Sequence, residues 1–425
     1  MDSPAQRACG IAAGRLNLAD YAANFSDAHP PLNRAQALIE AERCYYCYDA
    51  PCTTACPTSI DVPAFIARIA QDNVRGAARE ILTANPLGGM CSRVCPTEQL
   101  CEQACVRNTQ EDKPVEIGAL QRYATDAFMA SGGAPLFQRA AATGRKVAVV
   151  GAGPAGLTCA HQLALQGHDV VLFDARPKLG GLNEYGLASY KTPGDFAQKE
   201  IDWLLSVGGI TPRNNQRLGR DFTLDSLLAE HDAVFLGLGL AGVNALGAAE
   251  PQAEGLRNAV DFIADIRQAA DKSMVPVGLR VVVIGGGMTA VDASVQARLL
   301  GADEVTMFYR RGKDALSASW VEQEWAQTHG VNLRLWAAPQ EILVQDGKVC
   351  GVRMACTRME GDRLQVTQEV FDVPADMVLK AIGQTYVATP AGAAIALRDG
   401  RIDTDDEGRT SVPRVWAGGD CRAGG

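Results

Sequence analysis

Thirteen cysteines stand in this sequence, and eight of them crowd between Cys44 and Cys105. They run Cys44-x2-Cys47-x4-Cys52-x3-Cys56-Pro57, then Cys91-x3-Cys95-Pro96-x4-Cys101-x3-Cys105. The first run is the cluster-binding pattern of three close cysteines and a fourth before proline, widened by two residues. In two-cluster ferredoxins that fourth cysteine serves the other cluster. Zinc also takes four thiolates, but the paired Cys-Pro steps and the nucleotide motifs downstream favour iron–sulfur. The other five cysteines stand singly and read as small buried side chains. Cys350 and Cys356 are too far apart for a thiol-reducing pair and receive no role.

The second chemical signal is glycine. Gly151, Gly153 and Gly156 follow the apolar run KVAVV, with Pro154 and Ala155 between them. Gly151 suits a tight turn, Gly153 lets backbone approach a pyrophosphate, and Gly156 lets helix and strand pack closely. Asp174 closes the next strand about twenty residues on, where an acid hydrogen-bonds a ribose. A looser copy follows RVVVI: Gly285, Gly286, Gly287, Met288 and Thr289, with Ala290 in the third glycine position. Its next strand ends in Tyr309-Arg310-Arg311 rather than an acid, which suits the 2′-phosphate of NADP. Solvated surface arginines are the bland alternative.

Two dinucleotide loops in one chain imply two dinucleotides, one resident and one visiting as hydride donor. A flavin accepts two electrons together and releases them singly, whereas iron–sulfur clusters take one at a time. The two halves of the sequence therefore explain each other. The five histidines, His29, His161, His168, His231 and His329, show no ligand spacing and read as surface or capping residues.

These motifs need elements to hold them. Residues 1–130 combine the cysteines with helical periodicity such as VPAFIARIAQDNVRGAAREIL and show no strand pattern. Residues 131–145 read as a linker. Strand–helix alternation then begins, and KVAVVGAGPAGLTCA and RVVVIGGGMTAVDAS form an internal repeat. AVFLGLG and VWAGGD suit returns to the first nucleotide domain. The fold class expected is α/β: a helical iron–sulfur domain, then two nested Rossmann-like domains. The FAD-binding domain would comprise 146–243 and 386–425, its second part cut short, with an NAD(P)-binding domain inserted at 244–385. At 425 residues, 47% apolar and 21% charged, the composition is globular. A net charge of -9 argues against nucleic acid or an anionic membrane as partner. No apolar run reaches the ~20 residues of a membrane helix, and the start lacks a secretory signal, so the expected location is cytoplasmic.

The segments ERCYYCYDAPCTTACPTSIDVPAFI, NPLGGMCSRVCPTEQLCEQAC and VEIGALQRYATD resemble the dihydropyrimidine dehydrogenase family, in particular the separate flavin subunit of its bacterial members. The glutamate synthase small subunit shares the layout. The resemblance runs from about Asn33 to Asp420. It implies one [4Fe–4S] cluster on Cys44, Cys47, Cys52 and Cys105, and a second on Cys56, Cys95, Cys101 and Gln121, leaving Cys91 out. It implies FAD on Gly151 to Gly156, Asp174, Gly181, Leu182, Lys191 and Asp420. It implies NADH or NADPH on Gly286, Gly287, Met288 and Thr289, with Arg310 and Arg311 at the ribose phosphate and Gly383 near the flavin.

Three departures stand out. The family usually has Asn or Asp where Met288 stands, and an arginine where Lys191 stands, which loses the fork geometry. The chain stops five residues after Asp420, where relatives continue into a helix that touches the flavin. The activity implied is transfer of electrons from NAD(P)H through FAD and two clusters. The recipient would be a partner subunit, carrying FMN and iron–sulfur clusters, that reduces uracil or thymine to the 5,6-dihydro form. No general acid for pyrimidine chemistry is identifiable, as befits a reductase half, and no catalytic residue is assigned. Feeding a glutamate-forming large subunit is the alternative, although Gln121 favours the pyrimidine family. A non-enzymatic scaffold with degenerate nucleotide sites is the alternative from another class.

Overall fold

Each glycine loop sits on its own five-stranded parallel sheet, and the two sheets belong to different units. The computed structural model describes residues 10–132, 135–388 and 395–424. One unit gathers Met1–Ala28, Tyr185–Pro193 and Gly242–Thr385; the other gathers His29–Glu184, Gly194–Ala241 and Tyr386–Gly425.

The second of these units begins with helices. Val62–Ala70 forms because Asp61 caps it, accepting from the Ala64 N–H at 3.0 Å, and because Val62, Phe65, Ile66 and Ile69 share one buried face. Asn73 caps Val74–Ala84 in the same way, through the Gly76 N–H at 2.9 Å. Two further helices matter below: α1, Gly88–Val94, and α2, Ile117–Ala130. The small core between the helices contains Phe65, Ile66, Ile81 and Leu120, with Cys44, Cys52, Cys56 and Cys105 packed against it. Apolar packing thus backs these cysteines.

The sheet of the first glycine loop has the order Val415–Ala417, Ala233–Leu236, Lys146–Val150, Asp169–Phe173, Ile210–Arg213, all parallel. Its strand order reverses beside Lys146–Val150, and a ligand crevice opens at such a switch point. Helix α3, Pro154–Leu165, starts there with proline in its first turn, and α4, Phe196–Leu205, covers the same face. Leu87, just before α1, is buried in the core of this sheet with Val149, Leu157 and Leu204.

The other unit repeats the plan: Val331–Leu335, Glu304–Tyr309, Arg280–Ile284, Met377–Lys380, Leu256–Asn258, all parallel, with α5, Met288–Leu299, after the glycine loop. A three-stranded antiparallel sheet, Ala337–Gln345, Lys348–Glu360 and Arg363–Pro374, extends it.

Several details differ from expectation. The helical domain begins at His29 rather than at residue 1. Ile11–Ala12 pairs antiparallel with Val277–Gly278, and Tyr21 is buried in the nucleotide-side core. A two-residue strand is too short to leave a periodic signature. Residues 185–193 also join that unit. The segment expected as a linker is packed: Leu136 is buried with Phe128 and Leu82, and Arg139 binds Asp169 at 2.6 Å. Finally, His161 is neither a surface nor a capping residue. It is 2% exposed, its Nδ1 lies 3.0 Å from the Leu204 carbonyl, and burial lowers its pKa.

Candidate functional site

The first loop is built from backbone with no room for side chains. Gly151 has φ +97, and a Cβ there would lie 2.2 Å from the Gly237 carbonyl oxygen on the strand across the switch point. At Gly156 it would meet the Gly151 carbonyl oxygen at 1.8 Å. A Cβ on Gly153, by contrast, would find only the Gly181 Cα, 3.9 Å away. That open side, flanked by Pro154 and Ala155 at the start of α3, is where a pyrophosphate fits. The Asp174 carboxylate accepts from the N–H groups of Ala152 and Arg176, both at 2.8 Å, while burial pushes its pKa up. Its first task is to hold the loop. The turn carrying Asp420 closes the site, since a Cβ on Gly419 would stand 2.8 Å from that of Ala155. Gly181 takes φ +53, and Leu182 after it is 42% exposed.

Lys191 is placed differently from the rest of its expected set. Its ammonium lies 2.8 Å from Asp292 on α5 and 2.5 Å from Glu322, and only 7% of the side chain is exposed. Burial would lower its pKa, but the two carboxylates overcome this and raise it. Asp292 also accepts from the Ala188 N–H at 3.1 Å, and Gln296 from that of Ser189 at 3.0 Å. Segment 185–193 is therefore held by one face of α5, and the lysine charge is already neutralised.

The second loop opens onto a cleft of about 800 Å³ lined by Gly285, Gly286, Gly287, Thr289, Tyr309, Arg310 and Gly383. Gly285 has φ +153, and a Cβ there would stand 2.2 Å from the Ala381 carbonyl oxygen, repeating the Gly151 arrangement. The Tyr309 ring lies against Gly286, where a Cβ would come within 2.4 Å of it. Arg310 faces the cleft; Arg311 and Met288 are not among its lining. Both arginines are exposed, and among the described residues neither guanidinium has an ion pair. Sequence reasoning missed Lys380, which lines the cleft and pairs with Glu250 at 2.5 Å, and Asn244, whose N–H donates to the Gly383 carbonyl at 3.1 Å. Neither lies in a motif.

Neighbouring cysteines act on one another. Burial raises the Cys44 thiol, and the charges of Cys105 and Cys47 raise it further. Cys52, pushed up to about 11 by burial, also feels Cys44 and Cys105. Cys101, pushed up to about 12 by burial, feels Glu102, Cys56 and Cys52. Cys95 is raised by its hydrogen bond with Cys91 and by burial, and feels Cys101 and Cys56. Cys91 is lowered to about 7, first by Cys95 and then by hydrogen bonds to Gln121 and Asn85. Gln121 is buried on α2, and its Nε2 donates to the Gly88 carbonyl at 2.7 Å. The structure thus brings Cys91, Cys95 and Gln121 together. Among the described residues no group of acidic, histidine or cysteine side chains is already closed into a metal-holding cluster. Thiols grouped against an apolar core are the donor set that iron–sulfur clusters take.

Comparison with known proteins bears on both halves. Residues 21–133 match the family described as dihydropyrimidine dehydrogenase domain II, 4Fe-4S cluster, and residues 145–425 match the pyridine nucleotide-disulphide oxidoreductases. The NAD-dependent dihydropyrimidine dehydrogenase subunit PreT of Escherichia coli is 34% identical over 395 residues, covering 93% of this chain and 90% of PreT. The E. coli glutamate synthase [NADPH] small chain is 34% identical over 423 residues, covering 94% of this chain and 89% of that one. The chain spans 64% of the length of the putative oxidoreductase AegA of E. coli, also at 34% identity. In fold it is similar to Mycobacterium tuberculosis FprA in complex with NADPH, with a TM-score of 0.56 and 20% identity over 65% of this chain and 79% of FprA. Thioredoxin reductase of T. acidophilum has a TM-score of 0.52 and 20% identity over 66% of this chain and 92% of that one. No helix among the described residues is long and apolar enough to cross a membrane. The cofactors these families imply are FAD, [4Fe–4S] clusters and NAD(P)H, and the bare backbone loops and grouped thiols fit them. With its cysteine-bearing helical domain and two glycine-loop sheets, the chain belongs to the pyridine nucleotide-disulphide oxidoreductases, carrying an iron–sulfur domain of dihydropyrimidine dehydrogenase type.

Proposed function

We propose that this chain is the electron-input subunit of a pyrimidine-reducing enzyme, passing electrons from NAD(P)H through FAD and two [4Fe–4S] clusters to a partner. The partner carries FMN and further clusters and reduces uracil or thymine in a cytoplasmic hetero-oligomer. The observation that carries this reading is Gln121: its amide is buried on α2 and hydrogen-bonds Cys91, the partner of Cys95, within the part of the chain that matches the dihydropyrimidine dehydrogenase model. Cys44, Cys47, Cys52 and Cys105 hold one cluster; Cys56, Cys95, Cys101 and Gln121 hold the other. Gly153 and the start of α3 receive the flavin pyrophosphate, and Asp174 fixes the loop's N–H groups. Gly286, Gly287 and Thr289 receive the nicotinamide nucleotide, with Arg310 at its ribose end. When bound, FAD takes a hydride and releases its electrons singly. The chain's residues bind and orient; none is placed to protonate a pyrimidine.

Feeding a glutamate-forming large subunit is the second reading, supported by the equal identity to the glutamate synthase small chain. The test uses the purified chain with NADH or NADPH and an artificial acceptor. Acceptor reduction should proceed, uracil and thymine should stay unchanged, and adding an FMN-type partner should start pyrimidine reduction. Pyrimidine reduction by the chain alone would defeat the division of labour. Turnover only with an amidotransferase partner would favour the second reading, and bound flavin that NAD(P)H cannot bleach would point to a scaffold.

A further inference from the structure

Helix α1 delivers Cys91 and Cys95, and a side chain outside every sequence motif grips its first turn. Glu200 on α4 is 0% exposed, and its Oε1 accepts from the N–H of Gly89 at 2.7 Å and of Met90 at 3.2 Å. The glycines leave the room for this. A Cβ at Gly89 would lie 2.6 Å from the Phe196 ring and 2.8 Å from Glu200 Oε1; one at Gly88 would lie 2.5 Å from Ile81. The Gly88 carbonyl takes Nε2 of Gln121 at 2.7 Å, which occupies the donor end of that amide. The Arg93 guanidinium lies over the Phe196 ring, 3.4 Å from its centroid, donates to the Gly89 carbonyl at 2.9 Å, and pairs with Asp126 on α2 at 2.6 Å. The hydrogen bonds of the Glu200 carboxyl are to backbone, and the charge of Arg93 also acts on it.

We propose that Glu200 is a positioning residue for the second cluster: it holds the helix that delivers Cys95 and whose Gly88 carbonyl takes the Gln121 amide. The proposal rests on the ligand set given above. The shape of the side chain and its acceptor oxygens set where α1 lies. Burial pushes the carboxyl up to about 8, so near neutral pH it acts on the helix through these hydrogen bonds rather than through a fixed charge.

Glu200→Gln keeps the shape and one acceptor oxygen, while Glu200→Leu fills the space and accepts nothing. In the holoprotein, Glu200→Leu should lose iron towards half and change the EPR spectrum of one cluster while keeping its FAD. Glu200→Gln should keep all its iron and the wild-type g-values, because its amide oxygen still accepts from the first turn of α1. Gln121→Ala is measured beside them. A changed Glu200→Leu spectrum with a silent Gln121→Ala would sustain the role of Glu200 through Cys95 and remove the glutamine ligand. A changed Gln121→Ala, with Glu200→Leu at wild-type iron and spectrum, would overturn the role of Glu200 and keep the ligand set. If Glu200→Leu does not fold, Glu200→Ala takes its place, and wild-type iron and spectrum in that variant overturn the proposal.

Discussion

Replacing Lys191 with methionine separates a flavin contact from a structural ion triad. The side chain is 7% exposed and lies between Asp292 at 2.8 Å and Glu322 at 2.5 Å. Methionine nearly fills the volume but leaves two buried carboxylates facing each other with no cation between them. Removing one partner of a buried ion pair costs about 3–5 kcal/mol, because the remaining charge stays desolvated. For a unit of this size each kcal/mol is worth about 2–4 °C, so the melting transition should fall by roughly 6–20 °C. Calorimetry can identify the transition, since bound NADP+ raises the melting of the unit that holds it. The pH dependence has a definite sign. The folded pKa of Lys191 lies above the unfolded value of 10.5, so its stabilisation is complete below that value and is lost as pH rises through the folded one. The wild type should show no Lys191-linked loss across the neutral range. An unchanged melting profile together with lost FAD would refute the triad and return Lys191 to the flavin.

Other perturbations test the remaining sites. Gly286→Ala places a methyl 2.4 Å from the Tyr309 ring and should raise KM for the nicotinamide nucleotide severalfold with FAD content unchanged; lost FAD would show that the loop serves the wrong dinucleotide. Arg310→Ala should reduce kcat/KM for NADPH about tenfold or more relative to NADH, as expected for a lost charge-assisted phosphate contact. Arg311→Ala should do less, because Arg311 does not line the cleft; equal effects would refute that distinction. Cys91→Ser should retain all the iron, and loss of about half would make Cys91 a ligand in place of Gln121.

What the sequence made legible was mostly local. Both strand–glycine loop–helix units could be read because each needs only some twenty consecutive residues, and steric demands at Gly151 and Gly285 leave glycine as the residue that fits. The cysteine spacing announced the iron–sulfur domain for the same reason. Long-range contacts were invisible. Lys191 finds its partners 101 and 131 positions away, at Asp292 and Glu322, so resemblance alone sent it to the flavin. Glu200 sits in an ordinary amphipathic helix, and nothing in FAQKEIDWLL announces that its carboxylate binds backbone 110 and 111 residues earlier. Residues 10–28 carry no motif, so their place in the nucleotide-side unit emerged from pairing and burial alone.

That placement of the first residues governs how the chain folds as it is made. Ile11 pairs with Gly278, so this segment waits for 267 further residues before it meets its partner. At about 5–20 residues per second the delay is on the order of 15–50 s. The helical cysteine domain, whose core lies within residues 37–124, is synthesised completely during that interval. Clusters can therefore be inserted before either sheet is finished. The strand Val415–Ala417 follows later and joins the sheet of the first glycine loop by pairing with Ala233–Leu236. Loop closures this long slow folding and extend the time for which apolar strand edges stay open. Tyr21 and Ile11, left uncovered meanwhile, are where a chaperone would find the unfinished chain.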